Sequence, residues 1–261
     1  MSTLEIKDLV IRFGGGAHAV TAADHVNLRV EGGSIVGLVG ESGCGKSTLA
    51  RAVVGLAPIS SGEILLDGEP IHPASGRPTR AMRARRRRIQ LVFQDPHASL
   101  DPRKTVGASI AEGVAAAGIS GRDRVRAEVE ALLDLVRLDS SHARSLPGAL
   151  SGGQRQRVAI ARALAAQPEV LIADEITSAL DVSVQAAVLN LVRELQRRTG
   201  VSVLFISHNL AVVRYLADQV AVMRGGRVVE SGATEEVIGG PADAYTRELI
   251  AAVPTIGGQQ P

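Results

Sequence analysis

The chain has no tryptophan, three phenylalanines, two tyrosines and a single cysteine among its 261 residues. So few rings argue against a single-stranded nucleic-acid platform, which stacks bases on aromatic side chains. One cysteine, Cys44, permits no internal disulfide and fits a reducing compartment. An excess of either charge is also lacking: 29 Lys and Arg against 27 Asp and Glu leave a net +2, too little to argue for nucleic acid. No apolar run approaches the roughly 20 residues that span a bilayer. The longest, around Val170–Ala173 and Val201–Ile206, have the length of strands. The opening "MSTLEIKDLV" lacks a basic start followed by a long apolar stretch, so no secretory signal is expected.

Apolar residues are plentiful, at 45% of the chain, enough to bury a full core in one domain or one domain with a lobe. Glycine is concentrated at one informative place, "GESGCGKSTL", directly after the apolar run Ile35–Val39. The spacing Gly40-x-x-x-x-Gly45-Lys46-Ser47 is that of a phosphate-binding loop, in which glycines let successive backbone N–H groups turn inward around phosphate oxygens. Ser42, Gly43, Cys44 and Thr48 complete that wall. In this arrangement Lys46 reaches the β- and γ-phosphates and Ser47 ligates Mg²⁺, with the positive end of the following helix facing the anion.

Around this loop the pattern alternates. "LEIKDLVIRF", "HVNLRVEGGSIVGLVG" and "GEILLDGEPI", the last turning at Asp67-Gly68, predict an antiparallel lobe beside the phosphate-loop strand. The segment 73–80 reads as a surface loop. The basic run "RARRRR", Arg83–Arg88, reads as a solvated helix end leading into the strand "IQLVFQ", with an anion- or partner-binding surface as the alternative. Thr105 to about Leu138 is helical by its three- and four-residue apolar spacing. "SGGQRQRVAIARALAAQP" predicts a helix over about Gly152–Gln167 with a serine cap. Strand "EVLIAD", helix Val182–Arg198 closed by Gly200, strand "VSVLFIS", helix Leu210–Ala217 and a hairpin at Gly225-Gly226 follow. Strands alternating with helices predict a mainly parallel sheet covered on both faces.

A phosphate loop in such a sheet needs acidic residues at the carboxyl end of a neighbouring strand, and "VLIADE" supplies Asp174 and Glu175. Asp174 suits the Mg²⁺ sphere, and Glu175 can polarise a water for in-line attack on the γ-phosphate. "FISHN" puts His208 at the same edge, able to bond the γ-phosphate and hold that water; Gln94, ending "IQLVF", offers an amide to Mg²⁺ or to the water. Taken singly, each of these residues has an ordinary structural reading. "LSGGQRQR" is different, because Ser151, Gly152 and Gly153 expose a second set of helix N-terminal N–H groups. A helical insert separates them from the first loop, so the two sets do not readily grip one nucleotide within a single chain, and a second subunit should supply the missing half.

In this order, "GESGCGKST", "LVFQDP", "LSGGQ", "LIADE", "SALD" and "FISHN" closely resemble the ATP-binding subunit of ABC transporters, over about Leu4 to Val253. "VFQDPHASLDPRKTV", "SALDVSVQ" and "AYTRELIAAVP" resemble the dipeptide, oligopeptide and nickel importer subfamily. The resemblance implies an α/β P-loop ATPase with a mainly parallel sheet, an antiparallel β lobe and a helical insert. The β lobe and P-loop core would occupy about 1–94 and 159–238, the helical subdomain about 95–158, and a short extension 239–261. It implies two such subunits facing head to tail, each ATP lying between Lys46 of one and Ser151, Gly152, Gly153 and Gln154 of the other, with Asp181 at the interface. It further implies an enzyme at the cytoplasmic face of the membrane. There it drives a separate permease, fed by a solute-binding protein, to import a solute such as a peptide or a metal complex. The region "DPHASLDPRKT" would dock the permease.

The chain departs from the family at Ile176, where proline usually follows the catalytic glutamate, and at Asn209, where aspartate usually follows the switch histidine; asparagine caps a helix equally well. Phe13 is the candidate for stacking on adenine, with His18 as the alternative. No cysteines lie near Pro261, so no iron–sulfur cluster is expected there. The rival class is a soluble ABC ATPase acting on nucleic acid or the ribosome. Its repair members carry long coiled coils or zinc modules between the two motifs, where this chain has only 105 residue steps from Lys46 to Ser151. Its translation members carry tandem cassettes, where this chain has one.

Overall fold

A computed structural model describes residues 1–14, 19–95 and 99–252. The strands β1 (Leu4–Phe13), β2 (Val20–Val30), β4 (Ser61–Leu66) and β5 (Glu69–Pro70) form a four-stranded antiparallel sheet in the order β2-β1-β4-β5. A second sheet of six strands runs β10-β9-β3-β8-β7-β6. Its members are β3 (Ile35–Val39), β6 (Ile89–Val92), β7 (Val170–Asp174), β8 (Ser202–Ser207), β9 (Gln219–Arg224) and β10 (Arg227–Ala233). All its pairings are parallel except β9 with β10, which is the hairpin predicted at Gly225-Gly226.

The six-stranded sheet is the wall between two cores, and its strands show it by period-2 sorting. Ile35, Val39, Leu171, Ala173, Val203 and Phe205 face one core, and Val36, Leu38, Val170, Ile172, Leu204 and Ile206 face the other. Against the second face lie the antiparallel lobe and α1 (Lys46–Val53). The first core takes in α5 (Gly152–Ala165), α6 (Val182–Thr199) and α7 (Leu210–Leu216), together with α3 (Val106–Ala116) and α4 (Arg122–Leu135), which pack on α5 and on each other.

Several boundaries differ from the sequence reading. α5 stops at Ala165 rather than Gln167, because Gln167 takes a positive φ of 50° that ends the helix. α2 (Arg80–Arg87) begins inside the stretch read as a loop, capped by the Thr79 hydroxyl, which accepts from Met82 N–H. The basic run thus occupies a helix leading into β6, without a buried residue in the helix. α8 (Thr234–Gly239) and α9 (Ala244–Ala251) close the described part of the chain.

Register brings the strand ends level. Val39 pairs with Ser207, Asp174 with Ile206 and Val92 with Ala173, so the residues that follow β3, β6, β7 and β8 emerge along one edge. That edge holds the loop 40–45, Gln94, Glu175 and His208.

Candidate active site

The loop 40–45 turns between β3 and α1 through glycines that no other residue can replace. Gly40 and Gly45 have φ of 153° and 109°; a Cβ on the first would lie 2.0 Å from the Met223 carbonyl oxygen, and on the second 2.0 Å from that of Ala22. Lys46 is 4% exposed, and its ammonium donates to the Gly40 and Glu41 carbonyls, each at 2.8 Å, and to Cys44 Sγ at 3.6 Å. Buried and without a carboxylate among those contacts, this cation is held only by backbone carbonyls and a thiol. A phosphate would be a stronger partner.

In the next residue, Ser47 Oγ donates to Asp174 Oδ1 at 3.0 Å. Asp174 is 3% exposed, and burial above all pushes its carboxyl above the ordinary aspartate range, the Ser47 hydrogen bond pulling back and the Glu175 charge adding to the rise. A buried, destabilised carboxylate beside a hydroxyl is a pair of hard oxygen donors suited to a divalent cation such as Mg²⁺.

Glu175 follows in a left-handed conformation, φ 49°, uncommon for a side chain of this size. Its N–H donates to the Ile206 carbonyl at 3.0 Å, and Ser178 Oγ donates to its carbonyl at 2.9 Å, which together hold the turn. The carboxylate meets both neighbours from the sequence reading at a single oxygen. Gln94 Nε2 donates to Oε2 at 3.1 Å, and His208 Nδ1 lies 3.3 Å from the same atom. Behind the turn, Ile176 is buried in the first core at 2% exposure. Asn209 caps α7, its Oδ1 accepting from Ala211 and Val212 N–H.

A cleft of about 370 Å³ collects part of this set; Asp174 lines a different cleft, which shares Gln94 with it, and His208 lines neither. The lining of the first includes Ser42, Gly43, Cys44, Gly45, Lys46, Ser47, Thr48, Gln94 and Glu175, together with Val20 and Thr21 from β2. Phe13 is not in that lining. It is 41% exposed at the end of β1 and pairs with Val20, which is. His18 lies outside the described residues.

The second motif opens elsewhere. Ser151 caps α5 in a reciprocal box: its Oγ accepts from Gln154 N–H at 3.3 Å, and Gln154 Oε1 accepts from Ser151 N–H at 2.9 Å. The Gln154 amide nitrogen then meets His142 Nε2 at 3.3 Å, while His142 Nδ1 lies 3.0 Å from the Asp139 carbonyl. These contacts select one tautomer, with Nδ1 donating to the carbonyl and Nε2 accepting from the amide. The sequence reading missed His142; nothing in "SSHARS" sets its spacing to the motif. Ser151, Gly153 and Gln154 line a separate hollow of about 400 Å³ that shares no residue with the first cleft. Gly152 is exposed beside them, and Asp181 precedes α6 exposed, making no side-chain cap.

Comparison with known proteins adds independent evidence. The model of the ABC transporter family matches residues 23–178. A peptide import ATP-binding protein of Brucella abortus is 48% identical over 247 residues, covering 95% of this chain and 73% of that protein. An oligopeptide transport ATP-binding protein of Bacillus subtilis is 44% identical over 252 residues, covering 96% of this chain and 82% of the other. Among solved structures, a dimeric ATP-binding cassette in a post-hydrolysis state, bound to ADP and Pi, superposes with a TM-score of 0.78 at 28% identity. That match covers 88% of this chain and 98% of the other.

Proposed function

This chain belongs to the ABC transporter family, and from that premise we propose that its two hollows are complementary halves of ATP sites completed by a second ATPase subunit. It is the ATP-binding, ATP-hydrolysing subunit of an importer. The cargo we assign is a peptide, the class named for relatives at 44% and 48% identity.

The observation that carries the composite site is the separation of the two motifs. The phosphate loop, Asp174, Glu175, His208 and Gln94 stand along one sheet edge, while the capped N-terminus of α5 opens on a hollow with none of these residues. Within one chain the N–H groups of Gly152 and Gly153 have no phosphate to meet. Head-to-tail pairing gives them the partner's γ-phosphate, with Asp181 of each chain at the junction.

The chain's own residues divide the work. Lys46 exchanges two backbone carbonyls for phosphate oxygens; Ser47 and Asp174 would hold Mg²⁺, which when bound would neutralise charge on the phosphates. Glu175 Oε2 takes the proton of the attacking water, and His208 and Gln94, already converging on that oxygen, fix the carboxylate and the water. The cleft of about 480 Å³ between β6 and α5, lined by Asp95, Ser99 and Arg162 and reaching Gln94 and Asp174 of the ATP site, is our candidate seat for a cytoplasmic segment of the permease. The chain then works at the cytoplasmic face of a membrane. Among the described residues no helix is long and apolar enough to cross it.

A mixing experiment tests the composite site. Ser151→Arg should still bind ATP through its own Lys46 yet fail to hydrolyse it, and Lys46→Ala should fail at binding. In a mixed pair one interface joins an intact loop to an intact signature, so hydrolysis should return where two copies of this chain pair. A Ser151→Arg protein that hydrolyses ATP alone at the wild-type rate refutes the reading.

A further inference from the structure

Helix α9, beyond the last motif, reaches the phosphate loop through one side chain. The Tyr245 hydroxyl accepts the Glu41 N–H at 2.9 Å. The ring is 7% exposed, and the Arg224 guanidinium lies over its face, 4.7 Å from the centroid. The helix is seated firmly. Asp243 Oδ1 caps it by accepting from Tyr245 N–H, and the Glu230 carboxylate on β10 accepts the N–H groups of Ala242 and Asp243. Burial, first of all, pushes the phenol above its ordinary range, so the group is a neutral hydroxyl at working pH.

The peptide unit between Gly40 and Glu41 therefore has both ends in use. Its N–H goes to Tyr245, and its carbonyl accepts the Lys46 ammonium at 2.8 Å. In a planar trans peptide these two groups point in opposite directions, so fixing one fixes the other. We propose that Tyr245 is a positioning residue for the ATP site: from the C-terminal helix it locks the Gly40–Glu41 peptide plane and, through that plane, the nucleotide-free position of Lys46. The loop then meets the phosphates already ordered. Without the hydroxyl, the Glu41 N–H loses its acceptor and the plane is held only at its carbonyl, which Lys46 leaves when it turns to phosphate, so binding must order it again. This rests on the assignment of residues 40–48 to ATP phosphates.

Tyr245→Phe is the test, because it keeps the ring, its packing and the Arg224 contact and deletes only the acceptor. In the nucleotide-free protein, amide exchange at Glu41 should accelerate about five- to tenfold. KM for ATP should rise about three- to tenfold with kcat within twofold, because ordering of the loop is lost and the chemistry at Glu175 is untouched. The melting temperature should stay within about 2 °C. Unchanged Glu41 exchange, or unchanged KM, overturns the proposal, and so does a lowered melting temperature with unchanged KM, which would mark Tyr245 as packing alone. The parent assignment fails separately: if the unmodified protein binds no ATP, residues 40–48 are not its phosphate loop, whatever Tyr245 does to Glu41.

Discussion

Gly153→Ala, one added methyl group, tests the packing that aims the signature helix. A Cβ at Gly153 would lie 2.4 Å from Val184 Cγ1 on α6, with the next contact, Val184 Cβ, at an ordinary 3.8 Å. The clash is more than 1 Å inside normal carbon–carbon contact. Val184 does not escape easily, because a β-branched side chain in a helix is confined to one favoured rotamer. Overpacking of this kind costs about 1–3 kcal/mol. Alanine gains at most about 1 kcal/mol of helix propensity over glycine, and less in a first turn, so the clash wins by about 1–2 kcal/mol. For a chain of this size that is a fall in melting temperature of roughly 2–8 °C. Relief is specific: Val184→Ala deletes the offending Cγ1, so the Gly153→Ala/Val184→Ala double variant should be at least as stable as Val184→Ala alone, a coupling of about 1–3 kcal/mol. ATPase activity should follow, since the displaced element carries Ser151 and Gln154. Thermal unfolding and steady-state ATPase on the four proteins measure the cycle. Gly153→Ala with wild-type stability and activity, or a double variant that falls below Val184→Ala by as much as Gly153→Ala falls below wild type, refutes the placement of α5 against α6.

Glu175→Gln keeps the shape that meets Gln94 and His208 but cannot accept a proton, so hydrolysis should fall about 10²- to 10⁴-fold while ATP still binds; gel filtration with ATP should show an accumulated dimer, and near-wild-type turnover would remove Glu175 from the base role. Asp174→Asn should raise the melting temperature of the nucleotide-free protein near neutral pH. Its folded-state pKa is raised, chiefly by burial, so the stability it contributes is full below the ordinary aspartate pKa and is lost as pH rises through the folded value. The gain of the variant should therefore shrink toward pH 4, and stabilisation by Mg-ATP should be lost in it; a melting temperature lower than wild type at pH 7 in the absence of nucleotide would contradict the cost assigned to the buried carboxylate.

What the sequence made legible was set by the physics of each element. The tight turn at 40–45 could be read because Gly40, Gly45, Lys46 and Ser47 stand at fixed offsets along the chain, and offsets survive without a structure. Strands such as Val170–Asp174 could be read because a sheet buried on both faces demands an unbroken apolar run. Helix ends were less legible. Gln167 stops α5 by adopting a left-handed conformation, which glutamine does not advertise, and Thr79 starts α2 inside a stretch whose glycine and prolines read as loop. The far wall of the cleft was least legible: Val20 and Thr21 line it, while Phe13, paired with Val20, does not.

Contacts that join distant segments leave no trace in spacing. His142 meets Gln154 across 12 residues and Tyr245 meets Glu41 across 204, each through one hydrogen bond whose partner only the fold identifies. Both contacts fall on backbone or side chains that orient a motif rather than on the motif's reactive atoms. The reactive groups sit at strand ends and helix starts, where local sequence dictates their direction; the groups that hold them still come from wherever the chain passes nearby. A motif thus names the groups proposed for the chemistry, while the precision with which they are held is distributed over residues such as His142, Val184 and Tyr245. Substituting these three should therefore alter KM, dimer closure and stability before it alters the chemical step, whereas changes at Lys46 or Glu175 should strike binding or hydrolysis directly.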